Sequence, residues 1–214
     1  MLKTQLFDYR YVPARILHAP EKVMVVLHGL GDSLKGFTWL PEALDVDDVS
    51  YLMVNAPDTY YDGYSWYDFL EDPHPGVLRS RKLLLSLIEE LIAQGVPPGN
   101  LFLFGFSQGC LMAIDAGLRT PHVLGGICGV SGYMHLAEEY PAELSPVAKQ
   151  QEFLLTHGTS DPVVPYPSSK AQYQQLKKLG VPLNLLTYDK DHTMLPQEVK
   201  DIAGWLRLRL SKTT

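Results

Sequence analysis

Short apolar runs alternate along this chain with segments whose apolar residues recur every three to four positions. Val23–Leu27 is apolar at every position, which suits a strand covered on both faces by helices. Residues 51–56, 101–104, 123–130, 152–156 and Leu183–Tyr188 are further β-prone runs. Residues 6–12 place Phe7, Tyr9 and Tyr11 at every second position, the pattern of an edge strand or hairpin. Between residues 80 and 93 the period changes. Leu83, Leu84, Leu87, Ile88, Leu91 and Ile92 form one stripe, predicting a helix packed on a sheet. Helices are also predicted over 107–118, over 168–179, where Gly180 can end it, and over 197–210. Residues 59–76, bounded by Pro and Gly, read as a loop, and no clear helix opens after residue 33. Strand and helix in alternation, with no repeat or linker, predict an α/β fold over 1–214 as a single domain. Its central sheet is mostly parallel, helices cover both faces, and little chain is left for a large lid.

Composition narrows the class. The 214 residues, 46% hydrophobic and 20% charged, can close a substantial core. A net charge of −6 without Lys/Arg clusters argues against a protein that grips nucleic acid or anionic lipid. The longest uncharged stretch, 91–114, is broken by Gly95-Val96-Pro97-Pro98-Gly99-Asn100, so no membrane span is expected. Cys110 and Cys128 lie in apolar stretches and read as buried free thiols. Asp8 and Arg10 interrupt the place where a signal peptide needs its apolar run, and a cytoplasmic location is expected.

In a sheet of this kind the reacting groups gather just past the carboxyl ends of the strands. Gly105-Phe106-Ser107-Gln108-Gly109 falls between a predicted strand and a predicted helix. A serine on so tight a turn needs glycines two positions before and after it, and its hydroxyl then stands at a helix N-terminus. Asp161, after the 152–156 strand, is on the correct side of the sheet to orient an imidazole, although a Ser-Asp-Pro setting equally suits a turn-capping aspartate. His192 follows Leu183–Tyr188. The chain order Ser107, Asp161, His192 is the one expected of a serine hydrolase triad built on such a sheet. His28-Gly29-Leu30-Gly31-Asp32-Ser33 lacks the third glycine of a dinucleotide loop and reads instead as an oxyanion loop. The donors would be the backbone amides of Leu30 and Gln108, with His28 a structural hydrogen-bonder. No cofactor and no metal are expected.

These blocks, together with Ser65-Trp66-Tyr67-Asp68 and Gly158-Thr159-Ser160-Asp161-Pro162-Val163-Val164-Pro165, resemble the acyl-protein thioesterase and phospholipase/carboxylesterase family of α/β hydrolases. The resemblance runs from about residue 22 to the C-terminus. It implies a Ser107–Asp161–His192 triad, oxyanion donors at Leu30 and Gln108, no cofactor, and cleavage of acyl esters or thioesters. The sequence departs from the family pattern at Cys110, at Ser33-Leu34-Lys35-Gly36 and at Lys190-Asp191 before the histidine.

The expected reaction is a two-step acyl transfer through Ser107 on short-to-medium acyl esters or thioesters. The substrate would be a small molecule, a lipid or an acylated protein. Lysophospholipid hydrolysis by the same mechanism, or a non-catalytic scaffold acting as a small-molecule receptor, are the alternatives. Within 59–76, Tyr64, Trp66 and Tyr67 are the candidates for walls of an acyl groove, and the density of aromatics there makes a homodimer one expectation.

Overall fold

The computed structural model describes residues 2–135 and 143–211. Its central sheet has seven strands: β1 (Tyr9–Val12), β2 (Val23–Leu27), β3 (Ser50–Val54), β6 (Leu101–Phe106), β7 (Gly126–Val130), β8 (Phe153–Gly158) and β9 (Leu183–Tyr188). They lie in the order β1-β3-β2-β6-β7-β8-β9. Only β1 runs antiparallel, at the edge next to β3. A separate hairpin of β4 (Asp58–Tyr60) and β5 (Gly63–Ser65) stands beyond the end of β3.

Helices α2 (Pro73–Ala93), α3 (Gln108–Arg119) and α4 (Tyr166–Lys178) cover one face, and α1 (Leu40–Leu44) and α5 (Pro196–Leu210) the other. The strands serve both cores by alternation. Val23, Val25 and Leu27 pack with the first set of helices, and Met24 and Val26 with the second. All five are buried, which is why the run lacks polar positions. Each such side chain contributes about 1.5–3 kcal/mol of transfer free energy.

Two of the boundaries that differ from the sequence expectation, and one unexpected helix, have clear local reasons. Helix α2 begins at Pro73 rather than near residue 80. Asp72 caps it by accepting the His74 N–H at 3.0 Å, and Pro73 occupies a position whose N–H would be unpaired anyway. Its buried apolar stripe starts only at Val77, so the first turn carries no periodic signal. Strand β7 starts at Gly126 rather than 123, because the Leu124 N–H is taken by the Gln151 side chain at 3.0 Å. Helix α1 was invisible to periodicity because it is a single turn, held by buried Leu40 and Leu44. No helix among the described residues is long and apolar enough to cross a membrane.

Glycine positions give a direct test of this packing. A Cβ on Gly109 would lie 2.2 Å from the Leu27 carbonyl oxygen, whereas one on Gly204, in α5, would meet nothing within 4 Å. Gly204→Ala is expected to stabilise the protein by about 0.5–1 kcal/mol. Gly109→Ala is expected to destabilise it by about 1–3 kcal/mol, since backbone must move. Urea denaturation of the two variants checks the signs.

Candidate active site

The centre of the sheet ends in a strained serine. Ser107 sits between β6 and α3 with φ 54 and ψ −115, a conformation that costs a non-glycine residue on the order of 1–3 kcal/mol. Crowding at the turn fixes it. A Cβ on Gly105 would stand 2.1 Å from the Gly109 carbonyl oxygen, so strand, turn and helix close on one another without side chains between them. The Ser107 N–H donates to the Val130 carbonyl at 2.9 Å, tying the turn to the end of β7.

Asp161 and His192 arrive from the ends of β8 and β9. The His192 Nδ1 lies 2.7 Å from Asp161 Oδ2, and its Nε2 lies 2.9 Å from the Ser107 hydroxyl. With Nδ1–H donating to the carboxylate, Nε2 is left to accept from the serine. Asp161 is equally fixed, since its Oδ1 accepts the Val163 and Val164 N–H groups at 2.9 Å each. Burial alone would raise its carboxyl; the hydrogen bonds from His192 and the two amides outweigh that and hold it below the usual carboxylate range. Phe106 packs on the imidazole, ring centroids 5.0 Å apart. The three residues singled out in the sequence therefore form one hydrogen-bonded chain.

The loop after β2 faces this chain. Its geometry is braced from outside by the hairpin: the Gly31 N–H donates to Tyr64 O and the Tyr64 N–H to Asp32 O, both at 2.9 Å. Gly31 has φ 76. Inside the fold, His28 Nδ1 donates to Gly29 O at 2.6 Å while Nε2 accepts the Ala56 N–H at 3.0 Å, so His28 is a structural residue. The Leu30 and Gln108 N–H groups have no protein partner among the described residues. Both residues line the same cavity as Ser107 and His192.

That cavity holds about 470 Å³, within the range of small-molecule sites. Tyr67, Phe69, Phe106, Tyr133, Val163 and Val164 make its walls. Of the three aromatic residues expected to line a groove, only Tyr67 does, its hydroxyl 2.9 Å from that of Tyr133. Trp66 and Tyr64 do not. Trp66 is fully buried behind the wall, where its indole N–H donates to His28 O at 2.9 Å and its ring packs on Phe7. Tyr64 serves through its backbone, as described. The region 59–76 is thus a hairpin, an irregular segment over 66–72 and a helix start, and the large hydrophobic residues it exposes are Tyr61, Phe69 and Leu70. Of the aromatics whose density in 59–76 motivates the dimer expectation, Trp66 and Tyr67 are buried while Tyr61 and Phe69 are exposed.

Several supporting groups gave no sequence signal. The Gln108 side chain accepts the Trp66 N–H at 3.0 Å and donates to Tyr67 O at 3.1 Å, fastening the cavity wall to the nucleophile helix. His157 lies buried beneath the aspartate loop with Nε2 donating to Val164 O at 2.9 Å. Both cysteines are buried, and burial pushes the Cys110 thiol up to about 12, so it offers no thiolate. Among the described residues no group of three His, Cys, Asp or Glu is placed to hold a metal ion.

A parallel sheet whose middle strand ends in a serine on a left-handed turn, with acid and histidine from the ends of β8 and β9, is the α/β-hydrolase fold. The chain belongs to the phospholipase/carboxylesterase family, whose profile matches residues 16–210, and is a carboxylic ester hydrolase. It is 37% identical over 166 residues to acyl-protein thioesterase 1 of Schizosaccharomyces pombe, covering 72% of this chain and 74% of that one. It is 33% identical over 225 residues to acyl-protein thioesterase 1 of Emericella nidulans, covering 91% and 92%. The crystal structure of Arabidopsis thaliana SOBER1 superposes with a TM-score of 0.82 at 28% identity, covering 89% of this chain and 99% of that one.

Buried histidines beside the site set a pH dependence of stability. Burial is the main force lowering both His28 and His157 below the ordinary value of 6.5. Between the folded and unfolded values the unfolded chain binds more protons, so stability is full above about 6.5 and is lost as pH falls towards the folded values. The melting temperature is expected to drop between about pH 7.5 and about pH 5.5, less steeply in His28→Gln than in the wild type.

Proposed function

We propose that this enzyme hydrolyses short-to-medium acyl esters and thioesters through an acyl-enzyme on Ser107. The observation that carries this reading is the unbroken chain Asp161–His192–Ser107 opening into an apolar cavity. In the forward step His192 Nε2 takes the hydroxyl proton as Ser107 Oγ attacks the acyl carbonyl. Asp161 holds the ring in the tautomer that leaves Nε2 free and stabilises the imidazolium that forms. The oxyanion is received by the unpaired Leu30 and Gln108 N–H groups, each worth about 3–4 kcal/mol of barrier. Gln108 adds the partial positive charge of the α3 N-terminus. His192 then protonates the departing alcohol or thiol, and water activated by the same nitrogen releases the acid. The relatives named acyl-protein thioesterase support a thiol leaving group, with the acyl chain lying against Tyr67, Phe69 and Tyr133.

Ser107→Ala is expected to lower kcat/KM for an aryl ester about 10⁴- to 10⁶-fold, and Asp161→Asn about 10⁴-fold. Both should keep the wild-type fold by circular dichroism; a Ser107→Ala protein with undiminished hydrolysis contradicts the proposal. Within a series of aryl esters, each added methylene buried in the cavity contributes about 0.8 kcal/mol. kcat/KM should therefore rise about fourfold per carbon until the cavity is full. A flat series would show that the acyl chain does not enter it.

A further inference from the structure

Lys190 and Glu198 form a buried ion pair two and six residues from His192, outside every step of the reaction described above. Their side chains are 1% and 0% exposed, with Lys190 Nζ 2.7 Å from Glu198 Oε2. Each ammonium proton has a destination: Glu198, the Thr193 carbonyl, and the Ser131 hydroxyl at 3.4 Å. Glu198 lies in the first turn of α5, where the helix dipole favours a carboxylate, and its Oε2 also accepts the Leu195 N–H at 3.1 Å.

The connections converge on the catalytic histidine. The ammonium of the residue two before His192 binds the carbonyl of the residue one after it, closing a ring through the backbone that carries His192. Through its own carbonyl, Lys190 accepts the Ser160 N–H at 3.2 Å, next to Asp161. Ser131 directly follows Val130, whose carbonyl holds the Ser107 N–H. One side chain and its peptide therefore touch the loops after β8 and β9, which carry Asp161 and His192, and the end of β7, which holds the Ser107 N–H. Burying two ions is a costly way to hold a fold together, since a well-packed apolar pair of similar volume is often as stable or more so. What an apolar pair cannot do is fix directions by hydrogen bonds.

We infer that the Lys190–Glu198 pair is a positioning device that holds His192 in register with Ser107 and Asp161. This inference rests on the proposed triad and adds Lys190 and Glu198 to it as positioning residues, neither of which touches substrate.

The test compares Lys190→Met/Glu198→Met, which removes both charges at matched length, with Glu198→Asp, which keeps both charges but draws the carboxylate back by one methylene. For each, the readouts are melting temperature, kcat and KM on an aryl ester, and the downfield proton resonance of the His192 Nδ1–H shared with Asp161. The double variant is expected to melt near the wild type yet lose at least about tenfold in kcat, with KM within about twofold and the His192 resonance broadened or shifted. Glu198→Asp is expected to lose about fivefold in kcat with the same KM. A folded double variant with wild-type kcat and an unchanged resonance overturns the inference. Should the double variant fail to fold, a Glu198→Asp protein with wild-type kcat and resonance overturns it alone. Absence of ester hydrolysis in the wild type would instead contradict the proposed function, and the His192 resonance would still decide the role of the pair.

Discussion

Everything in the site depends on one backbone conformation, the left-handed turn at Ser107. A side chain on such a residue is unfavourable by itself, and it persists because the surroundings leave no alternative. The Gly109 peptide crowds Gly105, the Leu27 carbonyl crowds Gly109, and the Ser107 N–H is committed to Val130. Relaxing the turn would mean parting β6 from α3, whose residues Gln108 to Leu118 are all buried. The core thus supplies the strain, and the strain lifts the hydroxyl above the sheet edge, where His192 meets it.

The remaining groups reach that point by being held from several directions. Asp161 is locked by two amides, the imidazole by a carboxylate and an aromatic ring, and the oxyanion loop by the hairpin from outside and His28 from inside. Such over-determination matters because positioning errors of about 1 Å are expensive in acyl transfer. A catalytic hydrogen bond worth having must be aligned before the substrate arrives, and here the elements that align it are the sheet's own strand ends.

Much of this was legible in the chain. The apolar runs gave the sheet because strands buried on both faces leave no polar positions, and the triad followed from looking at the residues after each run. Chain order distinguished Asp161 and His192 from the other acids and histidines. The groove was less legible. Tyr64, Trp66 and Tyr67 are neighbours without period, and nothing in three aromatics within four positions tells which faces the cavity and which the core. Trp66 turned inward because its indole N–H finds the His28 carbonyl. The start of α2 was hidden because its first turn has no apolar stripe to bury. The role of Lys190 was not legible, since nothing in a lysine between two aspartates points to a buried partner eight residues away across a turn.

The central claim is that Ser107 itself becomes acylated. Rapid acid quench of the enzyme turning over an aryl ester, followed by peptide mass spectrometry, tests it most directly. The account predicts an acyl group on the peptide containing Ser107 and on no other. Turnover with an acyl group on a different residue, or with no adduct even when deacylation is slowed by a bulky acyl chain, would contradict it.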